Sequence, residues 1–399
     1  MSTGSRRALV VGPALALVIS LAAACAPGRE DRPRAHDGDA AVEGVEGGWN
    51  HAGFRLIEGA EVDDALDGEV DGEIDGEVAV WRRLDEHDGR VLDLPAPPAR
   101  VVSQTLASDE VLLELLPDDR LIAISALALD PRYSLVVEAA ARVPETVLHD
   151  TERLLSLRPA LVVVASYTTP ETLRQLDHAG APVLRLRRFD GIDAIRDNIR
   201  TLGFAVGEDA AASTLIAEMD RRITTEQLRV RALLAAAERA AGPGRATEAG
   251  AGAGAGASAG ASAGAPLRVL SWDAMAAPGA GTIFDDVVRR LGSENPVSAA
   301  GLSGWPRVGS EQILAWDPDV IFASAPPGEQ EAARRRLVRD PRLALTTAAR
   351  HGRVHVLDSA LASTVSHHVA DLVEAIGARL APPAPDGASR AARAGEGSR

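Results

Sequence analysis

The chain has 399 residues and a formal net charge of −15, from 57 acidic and 42 basic residues. This length suits two or three domains, and 46% hydrophobic residues are enough to fill sizeable cores. A broadly acidic chain with no basic patch argues against nucleic acid as a partner, because nucleic-acid binding needs clustered cations. The single cysteine excludes an intramolecular disulfide framework.

Residues 1–25 have the layout of a lipoprotein signal peptide. Two arginines precede an apolar stretch from Ala8 to Ala24, and Cys25 follows directly. The stretch is too short and too interrupted to favour a transmembrane helix. The run that ends at Cys25 resembles the bacterial lipobox, which predicts lipidation of this cysteine. The mature chain would then be exported and held at the outer face of the cytoplasmic membrane, in the periplasm if the cell has an outer membrane. A plain secretory signal is the alternative.

Residues 26–78 are rich in Gly, Asp, Glu and Ala and show no sustained apolar period. Ten carboxylates and no basic residue lie between Glu58 and Val78, so this run carries ten of the fifteen net charges. Its Asp-Gly-Glu triplets do not match a calcium loop, because the twelfth position from Asp67 is Val78 rather than Glu. We therefore predict a disordered, self-repelling acidic tether over 26–78.

Two regions of alternating strands and helices follow, and they predict two α/β lobes. Short apolar runs alternate with helical stretches, a pattern typical of parallel sheets covered on both faces. The N-terminal lobe is predicted over 79–206 and the C-terminal lobe over 267–381. The predicted strands are Arg100–Ser103, Leu121–Ser125, Leu161–Ala165, Val183–Leu186, Leu267–Ser271, Val320–Ser324 and Val354–Leu357.

The segment between the lobes predicts one long helix over 207–241. It has no Pro or Gly from Glu208 to Ala241, and its apolar residues recur at helical spacing. About 32 helical residues span roughly 48 Å, which is enough to cross the back of both lobes and leave a cleft between them. A helix is a poor hinge, so we expect little relative motion of the lobes. An Ala/Gly-rich insertion over 242–266 and the tail over 382–399 are predicted to be disordered.

Four landmarks resemble the substrate-binding proteins of ABC importers for iron–siderophore complexes and cobalamin. They are an opening hairpin and first strand over Asp88–Ser103, turns at 152–162 and 304–320, and a helix start at Ser366–Val369. The resemblance covers about residues 80–380, apart from the Ala/Gly-rich insertion. It implies an α/β fold of two Rossmann-like lobes with parallel sheets, joined by one long α-helix, with the ligand cleft between the lobes.

Glu152 and Glu311 occupy the same local context in the two lobes. Each lies seven residues before the proline of a turn, Pro159 in the first lobe and Pro318 in the second. The resemblance implies that such glutamates pair with arginines of the transmembrane permease, where two separated charge-assisted contacts fix the orientation of docking. The alternative is a glutamate favoured at a helix N-terminus by the helix dipole.

Ligand contacts are expected beyond the carboxyl ends of the parallel strands. This rule and the resemblance select as ligand-binding candidates Gln104, Thr105, Ser125, Tyr167, Arg187, Arg188, Trp272 and Trp305. The resemblance favours Trp305 in particular, whose alternative role is packing between loops. The two arginines suit the oxygens of an anionic ferric siderophore, although adjacent arginines are more often solvated.

The resemblance implies a monomeric carrier that delivers a metal chelate to a permease and needs no cofactor. A ferric siderophore is the first candidate, with cobalamin or haem as alternatives. Tyr167 or His149 is a haem-ligand candidate by position only, since no motif supports it. No resident metal site is predicted, because adjacent helical residues such as His367 and His368 rarely share a metal. An exported α/β enzyme is disfavoured because the sequence has no P-loop, and its Gly-x-Ser-x-Gly matches at 256–260 and 260–264 fall inside the Ala/Gly-rich insertion rather than between a predicted strand and helix. A lipid-anchored sensor with the same fold is a third possibility.

Overall fold

A computed structural model describes residues 50, 52–58, 80–147, 150–241, 265–273 and 276–380. The first element is a small antiparallel sheet in the order β1-β2-β3. Its strands are β1 (Phe54–Glu58), β2 (Arg82–Glu86) and β3 (Val91–Leu94). The tight turn between β2 and β3 passes through Gly89 at a φ of 87°, a conformation that favours glycine.

The prediction of a tether over 26–78 was wrong for residues 52–58. Residues 52 and 53 are ordered and lead into β1, where Phe54 and Ile57 are buried and Glu58 lies opposite Arg82 of β2. Burial of two large apolar side chains stabilises a strand that is too short to stand out beside an acidic run. The chain leaves the sheet at Glu58 and returns beside it at Arg82, so the acidic run connects two paired strands.

The N-terminal lobe is built on a five-stranded parallel sheet in the order β6-β5-β4-β7-β8. The apolar runs that predicted strands are the buried core of this sheet. Its strands are β4 (Val101–Ser103), β5 (Leu121–Ile124), β6 (Glu145–Thr146), β7 (Leu161–Ala165) and β8 (Val183–Leu186). Its helices are α1 (Leu106–Leu115), α2 (Val137–Ala140), α3 (Thr151–Ser156), α4 (Pro170–His178) and α5 (Ile192–Val206), with a 3-10 turn at Ala126–Leu129.

The predicted linking helix is confirmed as α6 (Asp209–Ala241). Helix α5 ends at Gly207, whose φ of 79° is the left-handed cap that lets the chain turn into α6. Gly203 of α5 faces Ala212 so closely that a Cβ on Gly203 would lie 2.4 Å from the Ala212 Cβ. The two helices therefore cross with almost no space between their backbones.

The C-terminal lobe holds a parallel sheet in the order β11-β10-β9. Its strands are β9 (Val269–Ser271), β10 (Val320–Ala325) and β11 (Val354–Asp358). Its helices are α7 (Ile283–Arg290), α8 (Pro296–Ala299), α9 (Ser310–Trp316), α10 (Gln330–Val338), α11 (Thr347–Arg350), α12 (Ser359–Ala362) and α13 (Val369–Leu380), with a 3-10 turn at Leu343–Leu345. The prediction of two α/β lobes with parallel sheets joined by one long helix is confirmed.

The two lobes share contacts on both sides of the linking helix. One apolar cluster runs from β1 through α5 and α6 to α13. Arg290 of α7 pairs with Asp193 of α5 at 2.7 Å, and Asp286 accepts a hydrogen bond from the Ile192 amide at 2.9 Å. Such direct ties favour a fixed arrangement of the lobes. Within the described part of the chain, every helix is too short or too polar to cross a membrane.

Candidate functional site

The loops at the carboxyl ends of the two sheets face each other and meet at one point. Ser359, which follows β11, donates a hydrogen bond to the Arg132 carbonyl oxygen at 2.6 Å. Arg132 belongs to the loop that follows β5. This contact places the cleft edges of both lobes side by side, where open parallel sheets bind their ligands.

Thr105 and Tyr167 are the two predicted residues that lie in direct contact. Thr105 follows β4 and directly precedes α1, and Tyr167 follows β7, the neighbouring strand. The Thr105 hydroxyl lies 2.8 Å from the Tyr167 hydroxyl. Thr105 is buried and Tyr167 is half-buried. The Tyr167 phenol, which the Thr105 hydroxyl contacts, therefore lies at the carboxyl edge of the five-stranded sheet.

Gln104 and Ser125 use their polar groups on the local backbone. The Gln104 side-chain amide donates to the carbonyl oxygens of Ser103 and Val147. The buried Ser125 hydroxyl accepts from the Leu127 amide at 3.1 Å and so caps the 3-10 turn. Both residues lie at the predicted edge, where they shape the loops that surround the Thr105–Tyr167 pair.

Arg187 and Arg188 each have a carboxylate partner. Arg187 pairs with Asp88 in the β2–β3 turn, which ties the small antiparallel sheet to the end of β8. Arg188 pairs with Asp190 at 2.7 Å, and its carbonyl oxygen accepts a hydrogen bond from Asn198. These ion pairs hold β8 and its following loop in place, and a chelate would have to compete with them for either guanidinium.

The two predicted tryptophans belong to one group of loops in the C-terminal lobe. Trp272, directly after β9, is buried and donates its indole N–H to the Val308 carbonyl oxygen at 3.0 Å. This hydrogen bond anchors the loop that carries Trp305, which is half-buried. Trp272 therefore supports the loop, and Trp305 offers the accessible aromatic face.

Glu152 and Glu311 lie in the first turn of two equivalent short helices, α3 and α9. Both glutamates are exposed. Each helix runs into a buried parallel strand, β7 in one lobe and β10 in the other. The shared sequence context of the two glutamates therefore corresponds to a shared position in the fold.

The two short helices, α3 and α9, also end with the same backbone conformation. Six residues after the glutamate, Arg158 and Asp317 have positive φ values of 47° and 43°, the only two non-glycine residues of the described chain to do so. A proline follows each of them, as expected after a left-handed helix end.

An arginine caps each short helix from the strand start next to it. The Arg100 guanidinium, before β4, donates to the Leu157 carbonyl oxygen. The Arg268 guanidinium, before β9, donates to the Trp316 carbonyl oxygen at 2.8 Å. Leu157 and Trp316 both lie five residues after the glutamate. The sequence showed the repeated turns but not this cap, because each arginine lies far from its helix along the chain.

The two copies differ at two points. Asp319 accepts a hydrogen bond from the Arg268 amide at 2.8 Å, whereas the equivalent residue of the first lobe is Ala160. Glu311 lies 3.5 Å from the Arg342 guanidinium, and Glu152 has no ion-pair partner among the described residues.

Two buried carboxyl groups behind the cleft were not predicted as functional. Asp109 and Glu110 are adjacent in α1, and Glu110 accepts a hydrogen bond from Ser366 of the other lobe. Burial raises the pKa of Asp109 to about 8, against the effect of nearby hydroxyl and amide donors. Burial also raises the pKa of Glu110. Their only sequence signal is two acidic residues in the apolar start of a helix.

The histidine pair at the start of α13 lies beside this region. The His367 and His368 rings stack at 4.2 Å, and His368 Nδ1 lies 2.8 Å from an Asp371 carboxylate oxygen. The part of the chain that the structure describes has no group of three His, Cys, Asp or Glu side chains able to hold a metal ion. The predicted lipidation site Cys25 and the haem-ligand candidate His149 lie outside the described residues.

The known proteins most informative about this arrangement are solved periplasmic binding proteins. The periplasmic heme-binding protein BhuT in complex with two hemes is 24% identical, with a TM-score of 0.54 over 71% of this chain and 97% of its own. A periplasmic heme-binding protein from Pseudomonas aeruginosa is 24% identical, with a TM-score of 0.54 over 72% of this chain and 94% of its own.

An ABC-type Fe3+-hydroxamate transport system protein from Saccharomonospora viridis shares the fold as well. It is 18% identical, with a TM-score of 0.54 over 74% of this chain and 97% of its own. No curated protein sequence matches the chain.

The sequence model of the periplasmic binding proteins matches residues 101–239 and 253–361, which is more than half of the chain. The match includes most of both lobes and of the linking helix, with Glu152 and Glu311 inside it. It identifies an exported binding protein rather than an enzyme. The chain belongs to the periplasmic binding protein family.

Proposed function

We propose that this protein captures a metal chelate in the cleft between its lobes and delivers it to an ABC permease. We further propose that lipid on Cys25 holds it at the outer face of the cytoplasmic membrane. The delivery step is supported by an arrangement that recurs in both lobes, which we call the docking frame. It consists of Glu152, Arg158 and Arg100 in the N-terminal lobe and of Glu311, Asp317 and Arg268 in the C-terminal lobe. A glutamate, a left-handed helix end and an arginine cap recur together around Glu152 and Glu311.

The repeated frame supports docking better than it supports a local role in helix stability. Helix dipoles favour an acidic residue in any first turn and require no matching partner in a second lobe. Two exposed carboxylates on rigid, capped helices, one per lobe, give a partner two fixed anchor points. Such paired contacts accelerate association and fix its orientation.

The cleft edges support a flat or bulky metal chelate as the ligand. Tyr167 supplies a phenol at one edge and Trp305 an aromatic face at the other, both partly accessible. An aromatic face packs against a ring system, and a phenol oxygen suits a hard ferric centre. The hemes and Fe3+-hydroxamate named for the similar structures belong to the same chemical class, with cobalamin as a remaining alternative. We infer that the protein is a monomer when it binds the chelate.

Charge reversal at the two glutamates tests delivery. With the permease in nanodiscs, we expect Glu152→Lys and Glu311→Lys each to weaken the complex about 30-fold, or about 2 kcal/mol, since each leaves a permease cation unpaired. The double variant should lose both contributions, because distant sites contribute additively. Surface plasmon resonance measures the affinity, and uptake of labelled chelate measures transport.

The control is Glu238→Lys on α6, an exposed carboxylate outside the docking frames. This variant should bind the permease as the parent does, and all variants should bind the chelate equally. Unchanged permease binding in the double variant, with chelate binding intact, would contradict docking through Glu152 and Glu311. It would favour a lipid-anchored sensor that uses the same fold.

A further inference from the structure

One segment of the C-terminal lobe is strongly basic, contrary to the expectation of no basic patch. Between residues 334 and 353 the chain has seven arginines and one carboxylate, in a protein whose net charge is −15. The segment comprises the end of α10, the 3-10 turn at Leu343–Leu345 and α11. A local excess of six positive charges on an acidic protein marks a candidate interaction surface.

Two of the seven arginines are used inside the fold. Arg334 donates to the Val354 carbonyl oxygen at 3.0 Å, and the buried Arg353 donates to the Leu380 carbonyl oxygen at 3.0 Å. The other five are exposed, and we call them, together with Val338 and Leu345, the basic edge. These five are Arg335, Arg336, Arg339, Arg342 and Arg350.

The arginines of the basic edge are weakly neutralised. Arg335 lies 3.3 Å from Glu331, and Arg350 is 4.0 Å from Asp317. The guanidinium groups of Arg336 and Arg339 make no hydrogen bond or ion pair with any residue in the described ranges. These two guanidiniums, one in the last turn of α10 and one directly after it, are therefore free to meet an anion outside the protein.

Exposed apolar side chains lie among these arginines. Leu345 is 58% exposed and Val338 is 40% exposed, two of the six large hydrophobic residues exposed in the described chain. Arginines mixed with exposed aliphatic side chains are typical of surfaces that rest on anionic lipid headgroups, where the charges meet phosphates and the apolar groups enter the boundary with the acyl chains.

We propose that the basic edge rests on the anionic lipid surface beside the permease. Arg342 joins the basic edge to the docking frame, because its guanidinium lies 3.5 Å from Glu311 and 3.1 Å from the Ser310 hydroxyl. The orientation toward the membrane rests on the proposed function, in which Glu311 docks on a membrane-embedded permease. A permease cation that pairs with Glu311 repels nearby arginines, so these arginines meet the lipid phosphates around the permease.

Vesicle sedimentation tests this surface without a permease. The protein used is residues 26–399, which include every described residue and lack both the signal segment and the lipid. We expect the protein to bind vesicles that contain both phosphatidylcholine and phosphatidylglycerol and to dissociate from them when salt is added. It should not bind vesicles of phosphatidylcholine alone. Arg336→Gln with Arg339→Gln should weaken binding about 30-fold, since each basic residue near anionic headgroups contributes about a factor of five.

The matched control is Arg142→Gln with Arg231→Gln, which removes two exposed arginines outside the basic edge and should leave vesicle binding unchanged. Equal binding to both vesicle types, no binding to either, or full binding by the Arg336/Arg339 variant would overturn the proposal. So would weakened binding of that variant to the permease in phosphatidylcholine nanodiscs, which would assign the basic edge to the permease itself. The vesicle result stands whatever the Glu152 and Glu311 variants show, so the two proposals fail separately.

Discussion

At the scale of single residues, the most unusual groups are the adjacent carboxyls of Asp109 and Glu110. Both are buried in the first helix of the N-terminal lobe. Asp109 accepts a hydrogen bond from the Ser125 amide at 3.3 Å, and Glu110 accepts from the Leu135 amide and from Ser366. These contacts tie the loop after β5 and the start of α13 to one helix behind the cleft.

Asp109 should make the protein less stable as the pH rises. Its pKa is raised to about 8 in the folded protein, so between about pH 4 and pH 8 the folded state holds a proton that the unfolded state has released. Stability contributed by this proton is complete below pH 4 and is lost as the pH rises through 8. Asp109→Asn removes the effect. We expect its stability relative to the parent to increase by about 3 kcal/mol from pH 5 to pH 8, measured by urea unfolding.

Asp118→Asn, at an exposed position, serves as the control and should follow the parent at every pH. Parallel pH profiles for the parent and Asp109→Asn would show that the buried carboxyl is ionised throughout.

Only those features of the site that depend on residues close together along the chain could be predicted from the sequence. The rule that ligands bind beyond strand ends placed Thr105 and Tyr167 together, because β4 and β7 are neighbours in the sheet. It could not show that Arg187 pairs with Asp88, because that contact joins residues 99 positions apart. The partner of a charged side chain depends on tertiary packing, which single-sequence patterns do not contain.

At the scale of elements, long and strongly patterned segments were predictable and short ones were not. Helix α6 has apolar residues at helical spacing, and strand β7 is an unbroken run of five apolar residues. Strand β1 has two buried apolar residues, and its partner β2 begins 24 positions after β1 ends. A short strand whose stability comes from distant pairing gives almost no local signal.

The crossing of α5 and α6 depends on a glycine. In Gly203→Ala, the new Cβ would lie 2.4 Å from Ala212 and 3.2 Å from the Glu208 carbonyl oxygen, so the helices must separate. We expect a loss of about 1–3 kcal/mol in the free energy of unfolding, net of the better helix propensity of alanine. Chemical denaturation measures this loss. Gly309→Ala adds a Cβ with nothing within 4 Å and should be close to neutral; equal destabilisation by both changes would argue against a tight crossing.

At the scale of the whole molecule, charge is divided between separate regions. Ten of the fifteen net negative charges belong to the run from Glu58 to Val78, which lies in the chain between the paired strands β1 and β2. Six net positive charges belong to residues 334–353 of the opposite lobe. The net charge of −15 therefore describes neither the cleft edges nor the docking frames.

The lobes are tied to each other by polar contacts as well as by the linking helix. Arg222 of α6 pairs with Glu374 of α13 at 2.6 Å, and Arg196 of α5 pairs with Asp220 of α6 at 2.8 Å. Together with the Arg290–Asp193 pair, these contacts connect both lobes to α6. They support the prediction that the lobes move little when the cleft fills.

The central claim is that the cleft binds a metal chelate, and titration of tryptophan fluorescence tests it most directly. Ferric siderophores, haem and cobalamin are added in turn to the parent protein, to Trp305→Ala and to Trp81→Phe, a control in the region of the small antiparallel sheet. We predict saturable quenching by one of these chelates. Trp81→Phe should bind this chelate with the affinity of the parent, and Trp305→Ala should bind it at least about tenfold more weakly. No saturable response to any member of the panel would contradict the claim.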